Sequence, residues 1–326
     1  MPLFRHRFRA MASEHVLLLD AADEARGERA AAAAIADVAR IEAKYSRYRD
    51  DSVTAAINRA AGGPPVAIDA ETAALLRYAD ACHRLSGGRF DITSGVLRRV
   101  WDFRRTPPHL PDAAARMAVT ALIGWDGVEW SDHAVRLPRA GMEIDFGGIG
   151  KEYAADRVAT ILAERGIAHA LIDLGGDVRA LGPRPDGAPW RVGIRHPRRA
   201  GATIATVELE SGAVATSGDY ERFVEVDGRR YGHILDPRTG LPVAHWQSVS
   251  VVAPLAVTAG SCATIAMLCE AAGAAFLDAQ NVSWIGVDAG GVLHGPGAHI
   301  TTKSGPSPSA TQPCATIWSR TARSVV

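Results

Sequence analysis

Apolar positions in this chain follow two periods, and the switches between them mark out its elements. Glu14–Asp20 has an unbroken apolar centre, Val16-Leu17-Leu18-Leu19, and reads as a strand. An alanine-rich stretch from about Asp23 to Tyr45 follows, with Ile35, Val38 and Ile41 at helical spacing. Gly62-Gly63-Pro64-Pro65 interrupts the pattern. Asp69 then stands where a helix cap belongs, ahead of Leu75, Leu76, Ala79 and Leu85, and Gly87-Gly88 stop that helix. Ala154, Val158, Ile161 and Leu162 predict a third helix, ending at Gly166. Runs at Ala170–Leu174, Arg191–Ile194, Gln247–Ala253 and Val282–Asp288 predict strands, with an apolar helix at Ala259–Leu268 between the last two. Arg104–Pro111 reads as a loop and Trp125-Asp126-Gly127 as a tight turn. Asp227-Gly228 predicts a hairpin joining Phe223–Val226 to Arg230–Ile234. Helices and hairpins mix without a regular βα alternation, which predicts an α+β fold of mixed sheets and packed helices. From Thr301 periodicity gives way to Ser, Pro and Thr, so a domain of residues 1–300 with a mobile tail, 301–326, is expected.

At 326 residues the chain can bury a large core, as one big domain or two intimately packed ones. A net charge of +0 offers no attraction to nucleic acid or to an anionic membrane. Arg5-His6-Arg7-Phe8-Arg9 reads as a solvated strand edge. Cys82, Cys262, Cys269 and Cys314 have neither CxxC spacing nor histidines at zinc-ligand distance, so structural zinc is not expected. The first three lie in apolar helical runs and read as buried thiols. No apolar segment is long enough to cross a membrane. The N-terminus carries neither a signal-peptide pattern nor a lipobox cysteine, so the chain as written is expected in the cytoplasm.

Candidate chemistry centres on Asp145-Phe146-Gly147-Gly148-Ile149-Gly150-Lys151-Glu152, a strand running through a glycine-rich turn into a helix headed by lysine. Such a turn lets the backbone approach an anion, and a helix N-terminus offers it N–H groups. Lysine is rare in this chain: Lys44, Lys151 and Lys303 are all there is. A compact ammonium here fits a required point charge, and a tight turn with a solvated lysine fits equally. Neither GxxxxGK[ST] nor a helix-opening GxGxxG is present. Four more polar, glycine- or aspartate-bearing stretches interrupt apolar strands: Phe90-Asp91-Ile92-Thr93, Asp173–Asp177, Thr216–Tyr220 and His233–Gly240.

In this order, and together with Tyr45-Ser46-Arg47-Tyr48-Arg49, Asn58 and Phe90–Gly95, these stretches closely resemble the ApbE family of FAD:protein FMN transferases. The resemblance runs from about Phe8 to Leu293. It implies an FAD cleft between two closely packed lobes, and transfer of FMN from FAD to a Thr or Ser hydroxyl on an acceptor protein, releasing AMP. It also implies a divalent cation, usually Mg²⁺. Residue by residue, Gly148 (through its carbonyl) and Thr264 match metal contacts. Met11, Tyr48, Phe90, Asp91, Asp145, Lys151 and Ile234 match or line the FAD site. From the residues alone, Met11 and Tyr48 would be core, and Thr264 a threonine bonded back to its own helix turn. His233 is the candidate base for the incoming hydroxyl, the alternative being a histidine that orients the Asp236–Gly240 turn.

One position departs from the pattern. The family places an aspartate four residues before the metal-binding threonine, and here that residue is Gly260. Ser261 or Thr258 with water, a carboxylate from elsewhere, or the FAD phosphates themselves are the open substitutes. The departure also leaves two alternatives to FMN transfer: an FAD pyrophosphatase yielding FMN and AMP, and a flavin-binding protein without catalysis. Many members work outside the cytoplasmic membrane, where their acceptors lie.

Overall fold

The computed structural model describes residues 3–295 and the backbone of residues 299–302. The chain opens with a hairpin, β1 (Leu3–Ala10) and β2 (Ser13–Asp20), then α1 (Glu24–Tyr45) and α2 (Val53–Arg59). Next come β3 (Val66–Ala67), α3 (Ala70–Leu85), a 3-10 segment Ile92–Arg99, α4 (Ala113–Thr120), β4 (Glu129–Trp130) and β5 (Ala134–Arg136). Helix α5 (Gly150–Glu164) leads into β6 (Ala170–Leu174), β7 (Asp177–Leu181), β8 (Trp190–Arg195), β9 (Thr203–Leu209) and β10 (Gly212–Gly218). The hairpin β11 (Phe223–Val226) and β12 (Arg229–Gly232) precedes β13 (Trp246–Ala253), α6 (Ala256–Leu268) and α7 (Gly273–Ala279). Strands β14 (Ser283–Asp288), β15 (Leu293–His294) and β16 (His299–Thr302) close it.

Eight strands form one antiparallel sheet in the order β1-β2-β6-β7-β10-β13-β14-β15. Successive strand residues face opposite sides, and here both sides are covered. Leu17, Leu19, Ile172, Leu174, Ala213, Ala215, Val249 and Val251 face the helical side, in the same core as α1, α5 and α6. Their neighbours Leu18, Leu171, Val214 and Val252 face the other side, against Trp190, Ile194 and Val207 of β8 and β9. This is why β13 is buried along its whole length and reads as a continuous apolar run rather than an alternating one. β1 is the sheet's edge, with Arg5, Arg7 and Arg9 exposed beside half-buried neighbours, as its charge pattern predicts.

Most sequence expectations recur with shifted ends. Asp23 and Asp69 do cap α1 and α3, accepting from Arg26 N–H and Thr72 N–H. The second hairpin strand stops at Gly232, short of Ile234. Thr301 and Thr302, expected in the tail, belong to β16, which pairs in parallel with β9. Cys82 and Cys262 are buried, Cys269 only partly so. Lys303, Cys314 and the remaining tail lie outside the described residues. Among the described residues no helix is long and apolar enough to cross a membrane.

Helix α6 begins three residues earlier than its apolar run predicts, because another helix caps it. The buried carboxylate of Asp156 on α5 accepts the N–H groups of Ala256 and Val257, each at 2.9 Å, and pairs with Arg179 Nε at 3.2 Å. Every residue of α6 except Thr264 is buried. Tyr78 of α3 holds the other flank, donating to Val257 O at 3.0 Å. Asp156→Ala strips two cap bonds and leaves Arg179 buried without its partner, so a loss of about 3–5 kcal/mol in urea unfolding is expected.

Candidate active site

The glycine-rich turn is built on a prepared base. Asn58 of α2 grips the backbone of Ile144 twice, donating to its carbonyl at 3.0 Å and accepting its N–H at 2.7 Å. Asp145 N–H donates to Ile92 O at 2.9 Å, and Asp145 Oδ1 accepts Gly147 N–H at 3.0 Å. Gly95 is required where these segments touch, since a Cβ there would stand 2.8 Å from the Asp145 Cβ. Asp145 Oδ2 pairs with Arg47 at 2.5 Å, and Arg47 also donates to the Tyr48 hydroxyl at 3.0 Å with its guanidinium 5.1 Å from that ring's centre. Tyr48 is 70% exposed, which overturns its reading as core. A ring held in solvent by a cation is free to stack on another flat molecule.

Phe90 is buried, and its ring edge meets the turn: a Cβ on Gly148 would lie 3.2 Å from Phe90 Cζ. Asp91 is buried too, and its oxygens serve its own loop. They accept from Thr93 N–H at 2.7 Å, from Thr93 Oγ1 at 2.6 Å and from Trp125 N–H at 3.1 Å. Met11 lies in the β1–β2 turn, half-buried, with φ of 49°, followed by Ala12 at 62°. Two successive non-glycine residues in the left-handed region are strained. Glu42 holds that turn by accepting Met11 N–H at 2.8 Å.

Charge concentrates at the start of α5, which no side chain caps. Lys151 Nζ stands 2.7 Å from Asp177 Oδ2 and 3.4 Å from Gly175 O. Glu152, beside it, is 8% exposed and Asp177 3%, and Glu152 Oε2 has no hydrogen-bond partner. Burial, followed by the charge of Asp177, pushes the Glu152 carboxyl up to about 8. Burial works against the ammonium of Lys151, but Asp177 and Glu152 outweigh it and raise its pKa. Two buried carboxyl groups thus share one lysine, and ionising Glu152 as well as Asp177 calls for further positive charge. Across from them, Thr264 Oγ1 lies 2.8 Å from Ser217 Oγ, so the threonine reaches a neighbouring strand. Among the described residues no three His, Cys, Asp or Glu side chains group as a metal cage.

His233 follows β12, half-buried, with Nδ1 3.2 Å from Arg222 O. A carbonyl only accepts, so Nδ1 carries the proton and Nε2 keeps its lone pair. Burial first, then the charge of Arg222, lowers its pKa, and Lys151 adds to the shift. Ile234 is half-buried, and its carbonyl accepts Val243 N–H at 3.0 Å. Sequence reasoning left Arg47, Glu152, Asp177 and Ser217 out of the site. Asp177 and Ser217 lie within stretches singled out by their polarity, Arg47 within the Tyr45–Arg49 stretch of the resemblance, and Glu152 at the end of the Asp145–Glu152 stretch itself.

Residues 11–285 match the sequence model of the ApbE family. This chain belongs to the ApbE family. The FAD:protein FMN transferase of Treponema pallidum is 39% identical over 241 residues, covering 68% of this chain and 66% of that protein. The Salmonella typhimurium enzyme of the same name is 33% identical over 66% of this chain and 63% of its own length. The matches thus span just under two thirds of these relatives. Among solved structures, the ApbE protein of Thermotoga maritima superposes with a TM-score of 0.83 at 33% identity, covering 90% of this chain and 97% of that one. The apo flavinyl transferase ApbE of Pseudomonas stutzeri gives 0.81 at 27%, over 91% and 95%. The α+β architecture is therefore that of this ApbE chain's family.

The two shifted histidines give a direct check. In His15, burial lowers the pKa against the bond from its ring to Ala10 O. Both His15 and His233 are expected to titrate below the 6.5 of a free imidazole in NMR titrations. The unfolded chain then takes up protons first, so stability falls as pH drops through 6.5 and levels off below the folded pKa values.

Proposed function

We propose that this protein transfers the FMN half of FAD to a Thr or Ser hydroxyl of an acceptor protein and releases AMP. The observation that carries this reading is the meeting of the uncapped α5 start, the Lys151–Asp177 pair, the Thr264–Ser217 pair and His233 around one charged region. Lys151 pairs with Asp177 and donates weakly to Gly175 O, leaving its remaining ammonium hydrogen for a pyrophosphate oxygen. The exposed Tyr48 ring beside the Asp145 turn offers aromatic surface to the isoalloxazine, with Met11 at the β1–β2 turn, while the buried Phe90 backs the turn at Gly148. The resemblance to the family implies Asp145, Ile234 and Asp91 for the same FAD site.

In this reaction the acceptor oxygen attacks the FMN phosphorus and a new P–O bond forms. The pyrophosphate P–O bond breaks, and the bridging oxygen leaves with AMP. His233 Nε2 takes the hydroxyl proton, which its lowered pKa allows because the imidazole is neutral near pH 7. The donors present fit magnesium: the Thr264 hydroxyl, the Gly148 carbonyl and an orphaned carboxylate oxygen nearby are all hard, and few enough to leave places for phosphate. When bound, the ion would offset charge building on the leaving phosphate.

The test is to incubate the protein with FAD, Mg²⁺ and an acceptor domain bearing a Thr or Ser site. The expected product is flavinylated acceptor with equimolar AMP. Free FMN and AMP would mark hydrolysis instead, and unchanged FAD would overturn the reading. His233→Ala is expected to slow transfer by about 10²–10⁴-fold with FAD affinity kept, and full transfer would remove His233 from the mechanism. Lys151→Met is expected to weaken FAD binding by about tenfold or more in calorimetry, the scale of a charge-assisted hydrogen bond.

A further inference from the structure

Gly260 leaves a space on α6 that another residue fills. A Cβ built on Gly260 would stand 2.6 Å from both Cγ and Oε1 of Glu152 and 2.9 Å from its Cδ. The Glu152 side chain, carboxylate included, therefore occupies the space that a side chain at position 260 would enter, arriving from α5 instead of α6. It is not satisfied by protein: the residue is 8% exposed and Oε2 has no hydrogen-bond partner. A buried carboxylate oxygen without a donor is costly unless a proton or a cation completes it.

The helix pairing shows what lies beside this carboxylate. Asp156 meets Ala256 and Val257, while Glu152, one turn earlier on α5, meets Gly260, one turn later on α6. Gly148 lies four residues before Glu152, in the loop that opens α5, and Thr264 lies one turn beyond Gly260 on α6. These are the two positions that offer a carbonyl and a hydroxyl for the cation. We infer that Glu152 supplies the metal-ligating carboxylate of this protein, replacing a side chain that position 260 lacks. The inference rests on the metal-assisted transfer reading and adds to it the group that holds the ion. It also explains why 260 is glycine, since any side chain there would displace Glu152.

Mn²⁺ takes oxygen ligands like those of Mg²⁺ and is counted directly by electron paramagnetic resonance, so its affinity in the presence of FAD is the readout. Glu152→Gln keeps the shape and removes the ligand charge. It is expected to weaken Mn²⁺ binding about tenfold to hundredfold, with the thermal unfolding transition retained. The exchanged pair Glu152→Gly with Gly260→Asp moves the carboxylate back to α6 and is expected to recover most of that loss, which a merely structural Glu152 would not permit. Unchanged Mn²⁺ affinity in Glu152→Gln, or an exchanged pair that binds no better than Glu152→Gln, overturns the assignment and leaves FMN transfer standing. Wild-type protein that binds FAD but no Mn²⁺ overturns both this assignment and the metal-assisted reading.

Discussion

The site depends on the clasp between α5 and α6. Asp156 is fully buried and spends its carboxylate on the first two N–H groups of α6, with Arg179 balancing its charge. Burial raises the Asp156 pKa against these partners, the mark of a carboxylate held in place by its neighbours rather than by water. Because α6 is apolar on every side, it has no polar face to set its rotation. The cap and the Tyr78 hydroxyl set its axial position and turn Thr264, alone among its residues, out of the core. A slip of one residue would rotate Thr264 into apolar packing and carry Gly260 away from Glu152.

The same clasp concentrates charge. Glu152 and Asp177 are both buried, and among the described residues the cation that acts on both is Lys151. Low dielectric makes an ionised Glu152 expensive without a further cation and favourable with one. The glycine-rich turn follows from the same demand for closeness, since Gly148 sits against Phe90 and Gly95 against Asp145. Around Tyr48 the logic is one of presentation: the Arg47–Asp145 ion pair fixes a guanidinium, which in turn fixes the exposed ring.

Element types were legible wherever burial is one-sided or a cap is local. Asp23 and Asp69 sit three residues from the N–H groups they accept, so their helices declared their own starts. Where a partner is remote the sequence is silent. The start of α6 depends on a carboxylate 100 residues away in the chain. The hydroxyl of Thr264 meets a serine 47 residues away. Tyr48 looked like core because aromatic residues usually are, and only the fold shows that its segment turns outward after α1.

By itself the sequence determined the α+β class, the family and the glycine-rich turn leading into a lysine-headed helix, because these rest on short-range periodicity and contiguous motifs. It also exposed a missing carboxylate at position 260. Tertiary structure decided what stands in its place. Glu152 and Gly260 are more than a hundred positions apart, and a vacancy on one helix and an oxygen on another become one site only when packing brings the two helices together.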